Sequence, residues 1–395
     1  MKEKLKGFIK GHPGIMDSLY FIMQKVVLFI GVFIPVKSNS MIFVSLSGRN
    51  FDDSPKAIYD EVCSRKEFNE WELIWAFKEP NEIDIPRGKK IKFGDLHYWL
   101  TLLSTKVWID NGGIDSGLNL NRKRNIIVRT WHGSAIKYAE EKNNPVLQKF
   151  RHHQKIDNRS IRCAQNDLDI RIYTEYFRAS ADCFLKCGLP RNDCLLQYSK
   201  SEINAIRDKL EIPTDKKIIL YMPTWRDYIK DEGRKLSEHP PINIERWREQ
   251  LGKEYVFLFR GHYSFAKALK LADSDFVKNV SEFQPLSDFY AIADIMISDY
   301  SSAFYDFSAL CRPIRCYAYD FEEYNAERGL SIDLEKELPC QVSRTEKDLL
   351  ESIVNMDLSE DCKKTEKFKK KYMKYFKGNA SSTVVDEICN RLKGR

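Results

Sequence analysis

The sequence predicts an α/β protein of two domains, each with a parallel sheet that helices cover on both faces. Short runs rich in β-branched and aromatic residues alternate with stretches of helical apolar spacing, which is typical of a doubly wound sheet. The chain has 395 residues, which is too long for one compact core. Several predicted strands run into polar residues, and ligands of such sheets bind beyond the carboxyl ends of the strands.

The first predicted domain covers residues 37–212. Its strands are predicted at 40–46, 71–77, 91–93, 106–110 and 125–131. Its helices are predicted at 54–66, 95–104 and 201–210, with another that begins near Ser134. The fourth strand ends in the turn signal Asn111-Gly112-Gly113, and His132 follows the fifth strand. We therefore expect His132 at the edge of the sheet where ligands bind.

The second predicted domain covers residues 213–395. Its strands are predicted at 216–222, 255–260, 275–280, 293–298 and 312–318. Three of these strands are followed by polar or charged residues. The tail from Ser343 to Arg395 is predicted to be helical and highly charged.

Residues 1–36 form a separate N-terminal segment that is basic and then strongly apolar. Lysines lie at positions 2, 4, 6 and 10, and the run from Leu19 to Ile34 is apolar apart from a central Gln24-Lys25 pair. The run is short for a membrane span, and no secretory cleavage site follows it. We expect it to lie in the inner membrane interface, with its lysines against acidic lipids. The alternative is a helix that is buried against the first domain.

Composition narrows the possible partners. Hydrophobic residues make up 43% and charged residues 31% of the chain, which is typical of a globular protein. The net charge of +7 fits anionic ligands or an anionic membrane, and it is too small to suggest a nucleic-acid partner. Ten cysteines without a CxxC pair predict reduced, mostly buried thiols in a cytosolic protein. No Cys and His set has the spacing of zinc ligands, so we expect no zinc site. We assign no metal ligands and no cofactor, and the sequence does not indicate whether a divalent ion is required.

The stretch from Ser298 to Leu310 predicts a strand, a tight polar turn and the start of a helix. Hydroxyls and backbone N–H groups that gather at such a turn can hold an anion. Ser302 and Asp306 lie four residues apart, so they share a helix face and can point at one ligand. The alternative is an ordinary helix that Ser298 or Asp299 caps.

Other strand ends carry similar chemistry. Thr224 and Arg226 follow one strand, and Arg260, Gly261 and His262 follow the next. His132 and His262, each beside a glycine and one in each domain, could serve as a general base and as a donor to an oxyanion. Arg260 carries a planar cation suited to phosphate. The chain has no GxxxxGK[ST], no GxGxxG after its first strand and no GxSxG, so other common phosphate and hydrolase sites are excluded.

Taken together, these blocks resemble the CDP-glycerol glycerophosphotransferases of teichoic acid synthesis. The resemblance rests on the order and spacing of five blocks, which run from just before Trp131 to about Tyr319. They are Thr130-Trp-His-Gly133, Gly188-Leu-Pro-Arg-Asn-Asp193, Tyr221-Met-Pro-Thr-Trp-Arg-Asp227, Arg260-Gly-His262, and Ser298-Asp-Tyr-Ser-Ser302 continuing through Asp306-Phe307 to Arg312-Pro-Ile314. The resemblance implies the GT-B architecture, in which two Rossmann-like domains face each other across a cleft. It also implies a peripheral enzyme on the cytoplasmic face of the cell membrane.

The resemblance further implies which residues carry the reaction. His132 and His262 would be the catalytic pair. CDP-glycerol would be bound by Trp131, Gly133, Ser134, Ala135, Arg191, Pro223, Thr224, Arg260, Gly261, Ser301, Ser302 and Asp306. Two departures from the family pattern stand out: Gly261 replaces a residue that is commonly bulkier, and Ser134-Ala135 replaces a frequent Thr-Pro. The second departure lies beside the proposed base and bears on the choice of acceptor.

The implied reaction moves glycerol phosphate from CDP-glycerol to a lipid-linked acceptor, such as an undecaprenyl-diphosphate-linked saccharide, and releases CMP. Such phosphoryl transfer depends on alignment and charge stabilisation. A CDP-ribitol transferase or a capsule polymer transferase is the first alternative, because pocket shape distinguishes the two polyols. A sugar-nucleotide glycosyltransferase of the same architecture is the second. A nucleotide-sensing membrane scaffold is the non-enzymatic alternative, which two cleft histidines make unattractive.

Overall fold

The computed structural model describes residues 13–137, 156–224, 226, 241–261, 273–283 and 285–394, and for residues 13–17 it describes the backbone alone. Contacts between Cα atoms divide the chain into two compact units. The first unit contains residues 1–132, 143–193 and 379–395, and the second contains residues 133–142 and 194–378. Each unit is built on one parallel sheet, as the alternating pattern predicts.

The first sheet has seven strands among the described residues, in the order β3-β2-β1-β4-β5-β6-β7. The strands are β1 Lys37–Val44, β2 Glu72–Phe77, β3 Lys89–Lys92, β4 Thr105–Asp110, β5 Ile126–Arg129, β6 Ile161–Ala164 and β7 Phe184–Lys186. All of them pair in parallel, and Met41 of β1 lies opposite both Leu73 and Val107. The chain direction across the sheet reverses between β1 and β4, so the ligand site is expected there.

Helices cover both faces of this sheet because its strands are apolar on both sides. They are α1 Pro13–Phe33, α2 Asp53–Ser64, α3 Leu96–Ser104 and α4 Asp167–Tyr176. Met41 and Phe43 face a cluster that includes residues of α2, whereas Ile42 and Val44 face one that includes residues of α3. Period-two alternation thus places neighbouring strand residues in two separate cores.

The second sheet has six strands among the described residues, in the order β10-β9-β8-β11-β12-β13. The strands are β8 Lys217–Met222, β9 Tyr255–Phe259, β10 Val277–Asn279, β11 Ile295–Ser298, β12 Ile314–Tyr317 and β13 Val342–Ser343. The helices around it are α5 Lys200–Lys209, α6 Ile244–Leu251, α7 Leu286–Ile292, α8 Ala303–Ser308, α9 Phe321–Glu327, α10 Leu334–Glu337, α11 Glu346–Val354 and α12 Leu358–Tyr372. Here the direction reverses between β8 and β11, which places Pro223 and Asp299 at the expected site.

The last helix corrects the predicted domain division. Helix α13, Ala380–Lys393, packs against α2 in the first unit, although the sequence analysis placed the whole tail in the second domain. Asp193 explains this position, because its carboxylate accepts hydrogen bonds from the backbone N–H groups of Ala380 (2.9 Å) and Ser381 (2.7 Å). The boundary between the domains was predicted after residue 212, but the long segment of the second unit begins at Cys194.

Two further local predictions need correction. Strands β6 and β7 were not predicted, because runs of four and three residues are too short to show a period. The helix predicted to begin near Ser134 is absent from the described residues 134–137, where Lys137 instead forms an isolated antiparallel bridge with Leu330. The hydroxyl of Ser331 donates to the carbonyl oxygen of Ala135 (3.0 Å), so this segment adds to the second unit as extended backbone.

Candidate active site

The first unit presents His132 beyond the carboxyl ends of β4 and β5. The imidazole is exposed, and its Nδ1 lies 3.1 Å from the carbonyl oxygen of Asn111. A carbonyl oxygen only accepts, so this hydrogen bond places the ring proton on Nδ1 and the lone pair on Nε2. The turn that supplies the carbonyl requires glycine, because Gly113 has φ +94° and a Cβ there would lie 2.3 Å from the hydroxyl oxygen of Ser47.

The residue before His132 has an unusual backbone. Trp131 has φ +60°, a left-handed conformation that is a clear outlier for a bulky side chain. Its ring stacks on the His132 ring with centroids 3.9 Å apart and packs edge-on against Phe177 at 4.9 Å. Such strain persists only where the surroundings hold it, and it clusters at functional sites. The Trp131 packing thus fixes the direction in which His132 leaves the sheet.

Arg191 joins His132 in the first unit. Its Nη1 donates to the carbonyl oxygen of His132 (2.8 Å) and to the Asp53 carboxylate (2.9 Å). Burial alone would raise the pKa of the Asp53 carboxyl, but the Arg191 guanidinium and hydrogen bonds lower it overall. Sequence reasoning missed Asp53, because an acidic residue at the start of a helix is ordinarily explained by the helix dipole alone.

In the second unit, Asp299 joins two of the predicted binding loops. Its carboxylate accepts from the backbone N–H of Thr224 (2.9 Å) and from that of Tyr300. Its other oxygen accepts from Nη1 of Arg226 (2.9 Å), and the Asp299 side chain is fully buried. One carboxylate therefore fixes the segment after β8 relative to the segment after β11.

Arg226 is the buried centre of this arrangement. Its Nε and Nη2 both donate to Asp320, at 2.7 and 2.9 Å, in a bidentate pair. Its guanidinium also lies 5.0–5.3 Å from the ring centroids of Tyr300, Tyr319 and Tyr324. Although burial opposes the charge, Asp299 and Asp320 raise the pKa of Arg226 above its usual range. The sequence placed Arg226 at a strand end, but its distant partners were not recognisable.

The turn after β11 carries Ser301 and Ser302. Neither of the caps considered from the sequence is formed: the Ser298 hydroxyl donates to the carbonyl oxygen of Met222 (2.6 Å), and Asp299 faces Thr224 and Arg226. Helix α8 begins after Ser302, whose side chain makes no capping hydrogen bond. Ser301 uses its hydroxyl oxygen to accept from the N–H of Ala303 (3.2 Å).

Asp306 lies one turn into α8 and is 2% exposed. Of the two residues that were predicted to share a helix face, Ser302 is half-buried at the start of the helix and Asp306 is buried.

Arg260 and Gly261 lie at the end of β9. Nη1 of Arg260 donates to the carbonyl oxygens of Val280 (2.9 Å) and Phe283, and the guanidinium lies 5.2 Å from the ring centroid of Phe289. A Cβ on Gly261 would lie 2.7 Å from the Phe259 ring, so that ring fills the space of a larger residue. His262, the second predicted catalytic histidine, lies outside the described residues.

Gly133, Ser134 and Ala135 are all buried and belong to the second unit, whereas Trp131 and His132 belong to the first. The carbonyl oxygen of Ala135 accepts from the hydroxyl of Tyr305 (3.2 Å) as well as from Ser331. The predicted site residues thus fall into one group around His132 and Arg191 and a second group around Thr224 and Ser301. In the part of the chain that the structure describes, no group of three or more His, Cys, Asp or Glu side chains could hold a metal ion.

Comparison with known proteins identifies the family of this chain. The chain is 31% identical to the teichoic acid glycerol-phosphate transferase of Staphylococcus aureus, over 89% of this chain and 92% of that protein. It is 29% identical to the teichoic acid poly(glycerol phosphate) polymerase of Staphylococcus epidermidis, where it spans 51% of the relative's length. A solved structure of a variant of the wall teichoic acid polymerase TagF soaked with CDPG is 26% identical, with a TM-score of 0.81 over 99% of this chain and 96% of that chain. Residues 26–390 match the family described as CDP-Glycerol:Poly(glycerophosphate) glycerophosphotransferase, and the chain belongs to that family.

Proposed function

We propose that this chain transfers glycerol phosphate from CDP-glycerol to a hydroxyl group of a lipid-linked acceptor and releases CMP. The observation that carries the proposal is the exposed His132, whose Nδ1 is committed to the Asn111 carbonyl oxygen at the reversal point of the first sheet. A histidine held in one tautomer can take a proton at Nε2. Because the chain belongs to the glycerophosphotransferase family, we infer that His132 accepts this proton from the hydroxyl group that receives glycerol phosphate.

In this reaction His132 acts as the general base. The acceptor hydroxyl attacks the β-phosphorus of CDP-glycerol, and its proton passes to Nε2 of His132. A new P–O bond forms while the bond between the β-phosphorus and the bridging oxygen breaks, so CMP leaves with the electron pair. We assign His262 and Arg260 to the stabilisation of the transferring phosphate and of CMP, because both follow the end of β9.

The donor phosphates are assigned to the loops that Asp299 joins. Thr224 has its backbone N–H fixed by Asp299, and its hydroxyl oxygen is buried without a hydrogen-bond partner among the described residues. A buried hydroxyl with no partner is costly, so a ligand oxygen that pairs with it gains free energy. Ser301 and Ser302 supply further hydroxyls on the neighbouring turn.

The N-terminal helix α1 is proposed to hold the enzyme at the inner leaflet of the cell membrane. One face of α1 packs on the first unit through Tyr20, Val27 and Leu28, and Gln24 donates to the carbonyl oxygen of Leu118 (2.7 Å). The opposite face is apolar and exposed, and consists of Leu19, Phe21, Ile22, Met23, Val26, Phe29, Ile30, Val32 and Phe33. Exposed apolar side chains of this extent mark an interaction surface.

The sequence left two alternatives for this helix, one in the membrane interface and one against the first domain. Both apply in this proposal, because one side of α1 packs on the first unit and the other side is exposed. None of the helices in the described part of the chain has the length and apolar character needed to cross a membrane. A helix that lies in the interface would place the enzyme among the lipid headgroups. An acceptor such as an undecaprenyl-diphosphate-linked saccharide would present its hydroxyl at that level. The enzyme would then act as a peripheral protein on the cytoplasmic face.

CMP release with a synthetic lipid-linked disaccharide acceptor tests the reaction. We expect turnover with CDP-glycerol and a loss of about 10²- to 10⁴-fold in His132→Ala, because a positioned general base contributes that much. His97→Ala is the matched control, since His97 is exposed on α3 after the edge strand β3, whereas His132 follows β5 on the other side of the reversal point. Equal rates in His132→Ala and wild type would refute the role of His132. A preference for CDP-ribitol or a UDP-sugar would refute the proposal that CDP-glycerol is the donor. The length of the product distinguishes an enzyme that adds the first unit from one that polymerises.

A further inference from the structure

We propose that Asp53 is a positioning residue for the transfer reaction, which acts through Arg191 on His132. The proposal rests on the proposed function of His132 as the base. Asp53 is the first residue of α2, and its carboxylate is mostly buried at the carboxyl end of the first sheet. Its side chain reaches His132 through the Arg191 guanidinium.

The contacts of Asp53 lead to His132 through Arg191. The Asp53 carboxylate pairs at 2.9 Å with Nη1 of Arg191, and that nitrogen donates to the carbonyl oxygen of His132 (2.8 Å). The ring of the same histidine is held by Asn111, whose carbonyl oxygen lies 3.1 Å from Nδ1. Burial alone would raise the pKa of the Asp53 carboxyl, but Arg191 and Asn111 lower it. A partner of this carboxylate thus holds the backbone of His132 next to the ring.

The backbone of Asp53 supports a role beyond helix capping. Its φ of +64° is left-handed, which is uncommon for a residue other than glycine, and its carboxylate pairs with Arg191. The hydroxyl oxygen of Ser54 also accepts from the backbone N–H of Arg191 (3.4 Å). Trp131, next to His132, is left-handed as well, with φ +60°. Strained conformations cluster at functional sites, so these two indicate that the surroundings of His132 are closely specified.

The left-handed backbone makes the test sharp, because folding and function can be separated. Asparagine tolerates this conformation almost as well as aspartate, and glycine adopts it without strain. Asp53→Asn and Asp53→Gly should therefore keep the thermal midpoint of unfolding within a few degrees of wild type. Both should lower kcat by about 10- to 100-fold, since small displacements of a catalytic group have effects of this size. Asp60→Asn is the control, because Asp60 lies on the same helix in an exposed pair with Lys56.

A double-mutant cycle shows whether Asp53 acts through His132. In a His132→Ala background the further change Asp53→Asn should cost nothing, because the group that Asp53 positions is gone. If Asp53→Asn lowers the rate by the same factor in both backgrounds, or if either Asp53 variant keeps the wild-type rate, the proposal is overturned. A loss of activity that accompanies an equal loss of folded protein would also overturn it.

A second measurement is independent of turnover, so it stands if the proposed reaction fails. In protein labelled with ¹⁵N-histidine, the Nδ1–H signal of His132 can be assigned by its disappearance in His132→Ala. We expect a signal protected from solvent exchange in wild type and in Asp60→Asn, and its loss in Asp53→Asn and Asp53→Gly. An unchanged signal in the Asp53 variants would overturn the proposal, whatever donor the enzyme uses.

Discussion

The exposed face of α1 yields a quantitative prediction of membrane binding. Phe29 and Phe33 are 67% and 72% exposed, and their rings lie edge to face with centroids 5.3 Å apart. Full burial of a phenylalanine side chain contributes about 1.5–3 kcal/mol, and these exposed fractions leave about 1–2 kcal/mol for each ring. The headgroup region is only partly apolar, so we take the lower end, about 2 kcal/mol for the pair. The double change Phe29→Ser and Phe33→Ser should then lower partitioning about 30-fold.

Sedimentation with vesicles that contain acidic lipids measures this partitioning. The matched control is Val354→Ser with Leu358→Ser, because these side chains of the second unit are 56% and 53% exposed. The control should bind vesicles as the wild type does, and neither double variant should lose stability, since exposed substitutions change it little. CDP-glycerol binding should be unaffected in both. Equal vesicle binding by the α1 variant and wild type would show that this face is not the membrane surface.

Three further predictions concern buried carboxylates. Asp299→Ala leaves the buried Arg226 with Asp320 as its remaining carboxylate partner and removes the acceptor of the Thr224 backbone N–H, so the free energy of unfolding should fall by about 3 kcal/mol in denaturant titrations; a fall below about 1 kcal/mol would contradict this. Asp193→Ala removes the hydrogen bonds that hold the last helix, and should cost about 1–2 kcal/mol with early hydrogen exchange in α13. Burial alone would raise the pKa of Asp157, but Arg162 and Ser160 lower it to about 2. In the unfolded chain the pKa of this carboxyl is about 3.9. Its contribution of about 2.5 kcal/mol is present above about pH 4 and is lost as the pH falls to 2, so Asp157→Asn should flatten this part of the stability profile.

The sequence indicated where the proposed site residues lie along the strands, but it did not indicate the contacts around them. Strand ends are local features, so His132, Thr224, Arg260 and Ser301 could be placed by reading apolar runs and the polar residues after them. Within each unit, the reversal point of the sheet then indicates which strand ends lie beside the expected ligand site. Strand order itself is not local, but parallel pairing with helical connections leaves few topologies.

The contacts that the sequence did not reveal join residues far apart in the chain. Asp193 holds Ala380, which is 187 residues away, and this contact moved the last helix into the first unit. Asp299 accepts from Thr224, 75 residues earlier, and was considered only as a helix cap. A single carboxylate carries no periodic signal, so neither partner could be read from local spacing.

Carboxylates beside an anion-binding site look unfavourable in a sequence, and the structure gives them a physical purpose. Asp53 and Asp299 each pair with an arginine, and Asp299 also accepts a hydrogen bond from the backbone of Thr224. Such a carboxylate neutralises the arginine while it orients the loop, so the desolvated cation is already compensated before a phosphate arrives. Without this partner the arginine would turn toward water, and each transfer would require it to be ordered again. The two units thus share one arrangement, in which a buried acidic residue holds an arginine in place beside proposed site residues.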